Sequence, residues 1–490
     1  MMKGYTISRL KLQGKIGSHR CTVFAMSTAA AVIYSTLGLV KFFTYRTGIY
    51  DLVIFDQAIR GYSRFTVPGS YVKDQWNQLG EAVSILGDHF SPILATLAPL
   101  YWIYDGPQTL IVAQAVLFAA AAPFLWVFTY RKFGRGCAYF VSMAYLLSWP
   151  IAEAVAFHFH EYAFMPVLTA VLFERMQAAK PWHVVVVTLL ILLVKEDIGF
   201  FVMGLGLALL WKREWRWMGV SFIGLGPVAV WATSQVLIPA FGGASDRYWY
   251  YSELGGSPKA AVIHMLTDPM NALELLFTPS AKVATLVLLL APLLFLSLAS
   301  PYFFAPMMLL LERMLASDQP GWWDTHYHYN SAIIVALLCA AVDGAERLIR
   351  CASQRMPQLG GKRRLGLIWG AASFSCTLAF VPFFALGNLL SPSWYQKTER
   401  DHAADAAIAL VPDGILVEAA NQLGPNLSSR TKVVIWREMP RRAPWVIADI
   451  HSPQPMFPSL KEQWEDIENL QRNGYRILFW REGYVVLHRD

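Results

Sequence analysis

Four polar stretches interrupt an otherwise apolar chain, and their side chains are those used in acid–base and phosphate chemistry. The first runs from Tyr45 to Pro92 and carries Asp51, Asp56, Asp88 and His89. The second is FHFHE, with His158, His160 and Glu161; the third is Lys195-Glu196-Asp197; the fourth is DTHYHY, with His326 and His328. A carboxylate can take the proton from a hydroxyl, and lysine or histidine can neutralise a departing phosphate. Imidazoles two residues apart share a side only where the chain is extended. A divalent metal is possible there, and no cofactor is demanded. Each motif also has a plainer use. Asp51 and Asp56 can cap a helix or pair with Arg46 or Arg60, Asp88-His89 before Ser-Pro suits an N-cap, and the Lys-Glu-Asp triplet can be a salt bridge across a broken helix.

The elements that must position these groups are set by composition. Of 490 residues, 55% are hydrophobic and 15% charged, outside the balance of an ordinary soluble domain. This predicts a polytopic membrane protein. The net charge of +7 falls in short clusters between apolar runs, a pattern of topology determinants, so no nucleic-acid partner is expected. Five cysteines without paired spacing argue against disulfides and zinc knuckles.

Lys3, Arg9, Lys11, Lys15 and Arg20 precede the apolar run Cys21 to Phe43, which predicts an uncleaved first span and a cytoplasmic N-terminus. The basic clusters at 131–135, 212–216 and 347–364 then belong on the cytoplasmic side. Spans at 108–130, 137–157, 162–176, 217–238, 283–299, 302–315, 329–348 and 365–389 follow, and Ile93 to Tyr104 is too short to cross. His183 to Leu210 starts and ends on the cytoplasmic side, so it crosses twice with its break at Lys195-Glu196-Asp197. The total is about eleven spans. Loops 44–91, 240–282 and 317–328 are expected outside, as is everything after Ser391. The triplet should lie below the outer surface in a polar cavity shared with His158 and His160, because charges facing lipid are costly.

The tail from 391 to 490 reads as a small α/β domain beyond a membrane domain of 1–390. A helix is expected over 398–410, strands at ILVEA, KVVIW and WVIADI, a helix from Ser459 to Asn473 closed by Gly474, and a hairpin YRILFW-REG-YVVLHR.

YDLVIFDQ, GDHFSPILATLAPLY, FHFHEYAFMP, LLVKEDIGF, HYHYNSAIIVALLCAAVDG and VPDGILVEAANQLGPNLSSR together resemble a bacterial membrane-protein family catalogued as a domain of unknown function. That family in turn resembles the GT-C class of glycosyltransferases, which use polyprenyl-phosphate sugars outside the membrane and place an acidic residue in a long first external loop. The resemblance implies a mainly α, GT-C-like bundle in the bacterial inner membrane with an extracytoplasmic α/β domain. It implies a polyprenyl-phosphate sugar donor, an extracytoplasmic acceptor and contact with membrane lipids. Asp51, Asp56, Asp88 and His89 are then the catalytic candidates. His158, His160, Glu161, Lys195, Glu196, Asp197, His326 and His328 are the substrate-binding candidates, some members of the class needing a divalent ion. A transporter or lipid flippase, or a noncatalytic scaffold for envelope assembly, remains the alternative.

Overall fold

The computed structural model describes residues 19–74, 82–355, 361–437 and 441–490. The basic N-terminus from Lys3 to Lys15 and parts of the loops at 44–91 and 350–364 lie outside the described residues. In chain order the membrane part contains α1 (Arg20–Phe43), α2 (Leu52–Ser63), α3 (Gln108–Phe133), α4 (Arg135–Phe157), α5 (Phe164–Gln177), α6 (Pro181–Leu192), α7 (Gly199–Leu209), α8 (Arg213–Ala240), α9 (Ser280–Leu293), α10 (Phe304–Leu315), α11 (Ser331–Arg355) and α12 (Lys362–Phe383).

Among the described residues, α1, α3, α4, α8 and α12 are long and apolar enough to cross a membrane. A sixth crossing results if Pro269–Leu275 and α9, bent by 66°, count as one. Five or six helices thus have the length and composition of a full span, fewer than the eleven or so crossings expected from the sequence. The difference lies in α5, α6, α7 and α10, which have 14, 12, 11 and 12 residues, and in α11, which has 25 but carries Asp343, Glu346 and Arg347. At 1.5 Å per residue the short helices reach about 16–21 Å, less than a hydrocarbon core of roughly 30 Å.

The basic clusters assigned to one face do meet at one end of the bundle. Lys132 Nζ lies 2.7 Å from Asp343 and 2.6 Å from Glu346 on α11. Arg347 joins Asp343 at 2.7 Å, Arg350 joins Glu346 at 2.7 Å, and Lys362 also contacts Glu346. Arg131 reaches Glu174 at 2.6 Å, and Lys212 bonds the Tyr302 hydroxyl. The candidate chemical groups gather elsewhere.

Short α7 is held against α8 by backbone-to-backbone approach. A Cβ on Gly226 would fall 2.3 Å from the Gly199 carbonyl oxygen, and one on Gly206 would fall 2.7 Å from that of Gly219. Small residues are what allow helices to pack this closely in a membrane. The contact fixes the N-terminus of α7, directly after the Lys195-Glu196-Asp197 break.

In the C-terminal part, a five-stranded sheet has the order β4-β3-β5-β7-β6, from β3 (Leu416–Ala419), β4 (Lys432–Ile435), β5 (Trp445–Asp449), β6 (Arg476–Arg481) and β7 (Tyr484–His488); β1 (Gly69–Ser70) and β2 (Val83–Ser84) pair in the first loop. β3 runs parallel to β4 and β5, whereas β7 is antiparallel to both its neighbours. Thr398 caps α13 (Glu399–Ala409) through a reciprocal bond with Asp401, and Ser459 caps α14 (Leu460–Arg472) by accepting from the Glu462 amide. The hairpin turns on Glu482 and Gly483, with φ of 51° and 81°, the positive pair that a tight two-residue turn requires.

The first loop is not a free external segment. Every residue of α2 from Leu52 to Arg60 is buried, between the membrane helices and the C-terminal sheet. Phe55 packs edge-on against Phe159 at 5.5 Å, while the Gln57 amide donates to the Val433 carbonyl at 2.9 Å.

Candidate active site

Local backbone geometry puts the charged motifs side by side. After α6 ends, Lys195 is extended and Glu196–Ile198 forms a single 3-10 turn before α7 begins. The chain is also extended at His158 and His160, between α4 and the turn at Glu161–Ala163. These two breaks face each other: Lys195 Nζ donates to Glu161 Oε1 at 2.9 Å, and Glu161 Oε2 lies 2.9 Å from His160 Nδ1. Tyr162 donates its hydroxyl to Asp197. His160 stacks on His328 with ring centroids 3.5 Å apart.

The first loop adds a second chain of contacts. His89 Nδ1 sits 2.7 Å from Glu196, its Nε2 lies 3.3 Å from Lys195 Nζ, and its ring stacks on Tyr248 at 4.4 Å. Asp88 accepts from the Tyr248 hydroxyl at 2.5 Å and from Arg247 at 3.1 Å, and pairs with Lys73. Burial would raise the Asp88 carboxyl, but Lys73, His89 and these hydrogen bonds together hold it well below the usual range. Burial and Lys195 push His89 down, while Glu196 and Asp88 outweigh them and raise it above an ordinary imidazole. The ring thus lies between the Glu196 carboxylate and the Lys195 ammonium.

Asp51 differs from all of these. It is partly exposed, and among the described residues its carboxylate makes no hydrogen bond. Its backbone has φ 63° and ψ −66°, and the Leu52 amide donates to the Tyr50 carbonyl at 2.9 Å. That is a γ-turn of the rare, strained hand, and such conformations cost about 1–3 kcal/mol. Burial raises the Asp51 carboxyl despite nearby His160 and Lys73, which makes it a stronger base than a solvated aspartate. A raised, unpartnered carboxylate beside lysine and histidine is suited to proton removal.

The remaining candidates separate from this group. Asp56 is fully buried, with both oxygens within 3.0 Å of Arg60 and one accepting from the Tyr101 hydroxyl at 2.8 Å. Arg60 continues to Asp105 at 2.6 Å and to the Ser428 carbonyl at 2.9 Å. The geometry makes Asp56 a structural anchor. Asp56→Ala is expected to lower stability by about 1–3 kcal/mol, since Tyr101 loses its acceptor and Arg60 keeps Asp105. Turnover should stay near that of the parent in the same preparation; lost turnover at unchanged thermal stability would return Asp56 to the chemistry.

The expectation that His158 shares the cavity of the triplet is corrected. Its Nε2 accepts from the Gly48 amide at 3.4 Å, and the ring lines a separate cleft of about 460 Å³ with Arg400, Gln422 and Asp449 of the C-terminal domain. His326 is largely exposed and bonds Asp324 at 2.8 Å. The paired histidines are thus split among different partners. Among the described residues no three His, Cys, Asp or Glu side chains are placed to hold a metal ion.

Residues 41–486 match the family described as "Predicted membrane protein (DUF2079)". The chain belongs to that family. No curated protein matches the sequence. Among solved structures, ArnT from Cupriavidus metallidurans bound to undecaprenyl phosphate is similar at TM-score 0.51 and 12% identity, covering 95% of this chain and 97% of that one. The Archaeoglobus fulgidus oligosaccharyltransferase tethered with an acceptor peptide gives TM-score 0.48 and 11% identity over 96% and 74%. The likeness to ArnT is one of fold, and it spans both the membrane helices and the C-terminal sheet of this DUF2079 protein.

Several groups in the cluster were not singled out from the sequence. Lys73 and Arg247 come from loops, where a basic residue is unremarked. Glu312 and Arg313 had a signal, a charge pair inside the apolar run of α10, where ionisable residues point to function. Arg313 Nη1 donates to Asn330 at 3.3 Å, while its Nη2 and Glu312 Oε2 are buried without a partner among the described residues.

Proposed function

We propose that this protein is a GT-C-like glycosyltransferase that moves a sugar from a polyprenyl-phosphate donor to a hydroxyl-bearing acceptor outside the bacterial inner membrane. The observation that carries the reading is the Asp51 carboxylate, partly exposed, unpartnered and held on a strained turn beside a cation-rich cluster. The fold shared with ArnT, seen bound to undecaprenyl phosphate, supports a lipid-linked donor. In the proposed step Asp51 accepts the acceptor's hydroxyl proton. The freed oxygen pair forms a bond to the anomeric carbon, and the bond from that carbon to the phosphate oxygen breaks. The electron pair leaves on the polyprenyl phosphate. Lys73 and Arg247 both reach the Asp88 carboxylate and bring two cations to the place where the departing phosphate would lie. Lys195, already paired with Glu161, serves to fix His89 and the Glu161–His160 edge.

The test is a proteoliposome assay with a panel of undecaprenyl-phosphate hexoses and pentoses and an envelope-glycan acceptor fraction, read as acceptor-dependent release of undecaprenyl phosphate. Release that is the same with and without protein across the panel would end the glycosyltransferase reading in favour of transport or scaffolding.

The same reading places the cluster, the loops at 44–91 and 240–282 and the domain of 391–490 outside, and the basic end of the bundle in the cytoplasm. In an otherwise cysteine-free chain, Asp413→Cys should react with a membrane-impermeant maleimide applied from outside. In a second chain that keeps native Cys351 as its sole cysteine, this exposed thiol should react only after permeabilisation. The Asp413 pair with Arg430 is solvent-facing, so the substitution costs little stability. Labelling in the reverse pattern would invert the topology and remove Asp51 from the outer face.

A further inference from the structure

A strained turn persists only where its surroundings over-determine it, and the groups that flank Asp51 are tied to one body. The Ile49 amide donates to Asn421 Oδ1 at 2.8 Å. The Ile49 side chain is fully buried against Gly424, where a Cβ would fall 2.2 Å from it. The Tyr50 hydroxyl reaches the Met456 sulfur at 3.5 Å. Beyond the turn, Gln57 and Arg60 donate to the carbonyls of Val433 and Ser428. All five partners belong to the C-terminal domain, although Asp51 follows the first membrane span.

Asn421 is itself fixed from behind. Its amide donates to Gln454 Oε1 at 2.7 Å, the Gln454 amide donates to Gln463 Oε1 at 3.0 Å, and Gln463, fully buried, donates to the Asp449 carbonyl at 2.6 Å. A relay of amides therefore runs from α14 and β5 to the backbone next to Asp51. On the other side, a Cβ on Gly48 would fall 2.8 Å from the Asn421 amide nitrogen, so Asn421 fits the chain only because residue 48 is glycine.

From this geometry we infer that Asn421 is a positioning residue: the C-terminal domain holds the Asp51 turn in its strained form through the Asn421–Ile49 bond. The inference rests on the proposed role of Asp51 for its consequence in turnover, and on the contacts alone for the hold itself. It gives the domain a function inside the reaction centre, beyond recruitment of an acceptor.

The experiment is hydrogen–deuterium exchange on the full chain in nanodiscs, read at the peptide covering residues 48–52, together with undecaprenyl-phosphate release. Asn421→Ala should speed exchange at that peptide at least about tenfold while the strands of 416–488 keep their protection. It should lower kcat by about 10–100-fold with little change in donor KM. Asn421→Asp retains an acceptor for the Ile49 amide and should restore slow exchange and most of the rate. Gly48→Ala, which displaces Asn421 without touching the C-terminal core, should reproduce the Asn421→Ala exchange pattern. This second variant keeps the test open if Asn421→Ala disturbs the sheet. Unchanged exchange at 48–52 in both variants overturns the inference. Faster exchange with unchanged kcat, in a protein that Asp51→Asn inactivates, overturns the positioning role. If Asp51→Asn is itself active, the functional reading fails while the exchange result still judges the hold.

Discussion

Asp51→Asn is expected to lower turnover by about 10²–10⁴-fold, the range for loss of a general base, while leaving the protein folded and able to bind undecaprenyl phosphate. The same change is expected to raise thermal stability at neutral pH. Burial raises the Asp51 carboxyl in the folded state, so ionisation is disfavoured there relative to the unfolded chain. The penalty is absent below the unfolded pKa, grows as pH passes from the unfolded to the folded value, and is complete above it. An uncharged asparagine removes it. Melting curves of the two proteins should therefore separate at pH 7 and converge near pH 4. A variant that is inactive and also less stable at pH 7 would mean that Asp51 supports the fold, and its loss of activity would then say nothing of chemistry. A variant that keeps near-parental turnover would end the proposed role of the first loop.

The C-terminal domain was legible almost strand by strand, because its signals are local. The Thr398 and Ser459 caps, Gly474 and the Glu482-Gly483 turn each specify a boundary by their own conformational preference. The broken helix at Lys195 was legible for a similar reason, since three charges in a row cannot continue an apolar helix through lipid. Span number is not matched by helix length. Alternating basic clusters report the side on which a loop lies, whereas length and composition single out the long apolar helices, and α5 and α7 fall outside that group although they run from the charged cluster to the basic end. The site was half legible. Asp51, Asp88, His89, His160, Glu161 and Lys195 announce themselves as polar groups in apolar surroundings, but which of them pair depends on contacts over a hundred residues apart, such as His89 with Glu196. Asp56 and Asp51 look alike in sequence, five residues apart and on either side of the α2 start. Arg60, one helical turn after Asp56, is what separates them.

Lys195→Met is expected to destabilise the protein by about 3–5 kcal/mol, and Glu161→Gln with Lys195→Met together to recover most of that loss. At 2.9 Å and an effective dielectric of about 20, the attraction of Lys195 for Glu161 is about 6 kcal/mol. Withdrawing each ion from water costs several kcal/mol, so the intact pair contributes little net stability. Removing the lysine alone leaves a fully buried carboxylate with only the poorly aligned edge of His160 beside it. Removing both charges leaves neither ion uncompensated, which is why the double variant should melt near the parent. Turnover should behave differently. Lys195 also touches His89, and through it the Glu196 and Asp88 carboxylates next to the proposed phosphate position. The double variant is therefore expected to fold normally yet remain about 10²-fold slower, within the range for a misplaced catalytic constellation. Recovery of stability and turnover together would reduce Lys195 and Glu161 to a brace across the broken helix. Failure to recover stability would show that the two charges do not act as a pair, and the arrangement of the cluster derived from it would have to be abandoned.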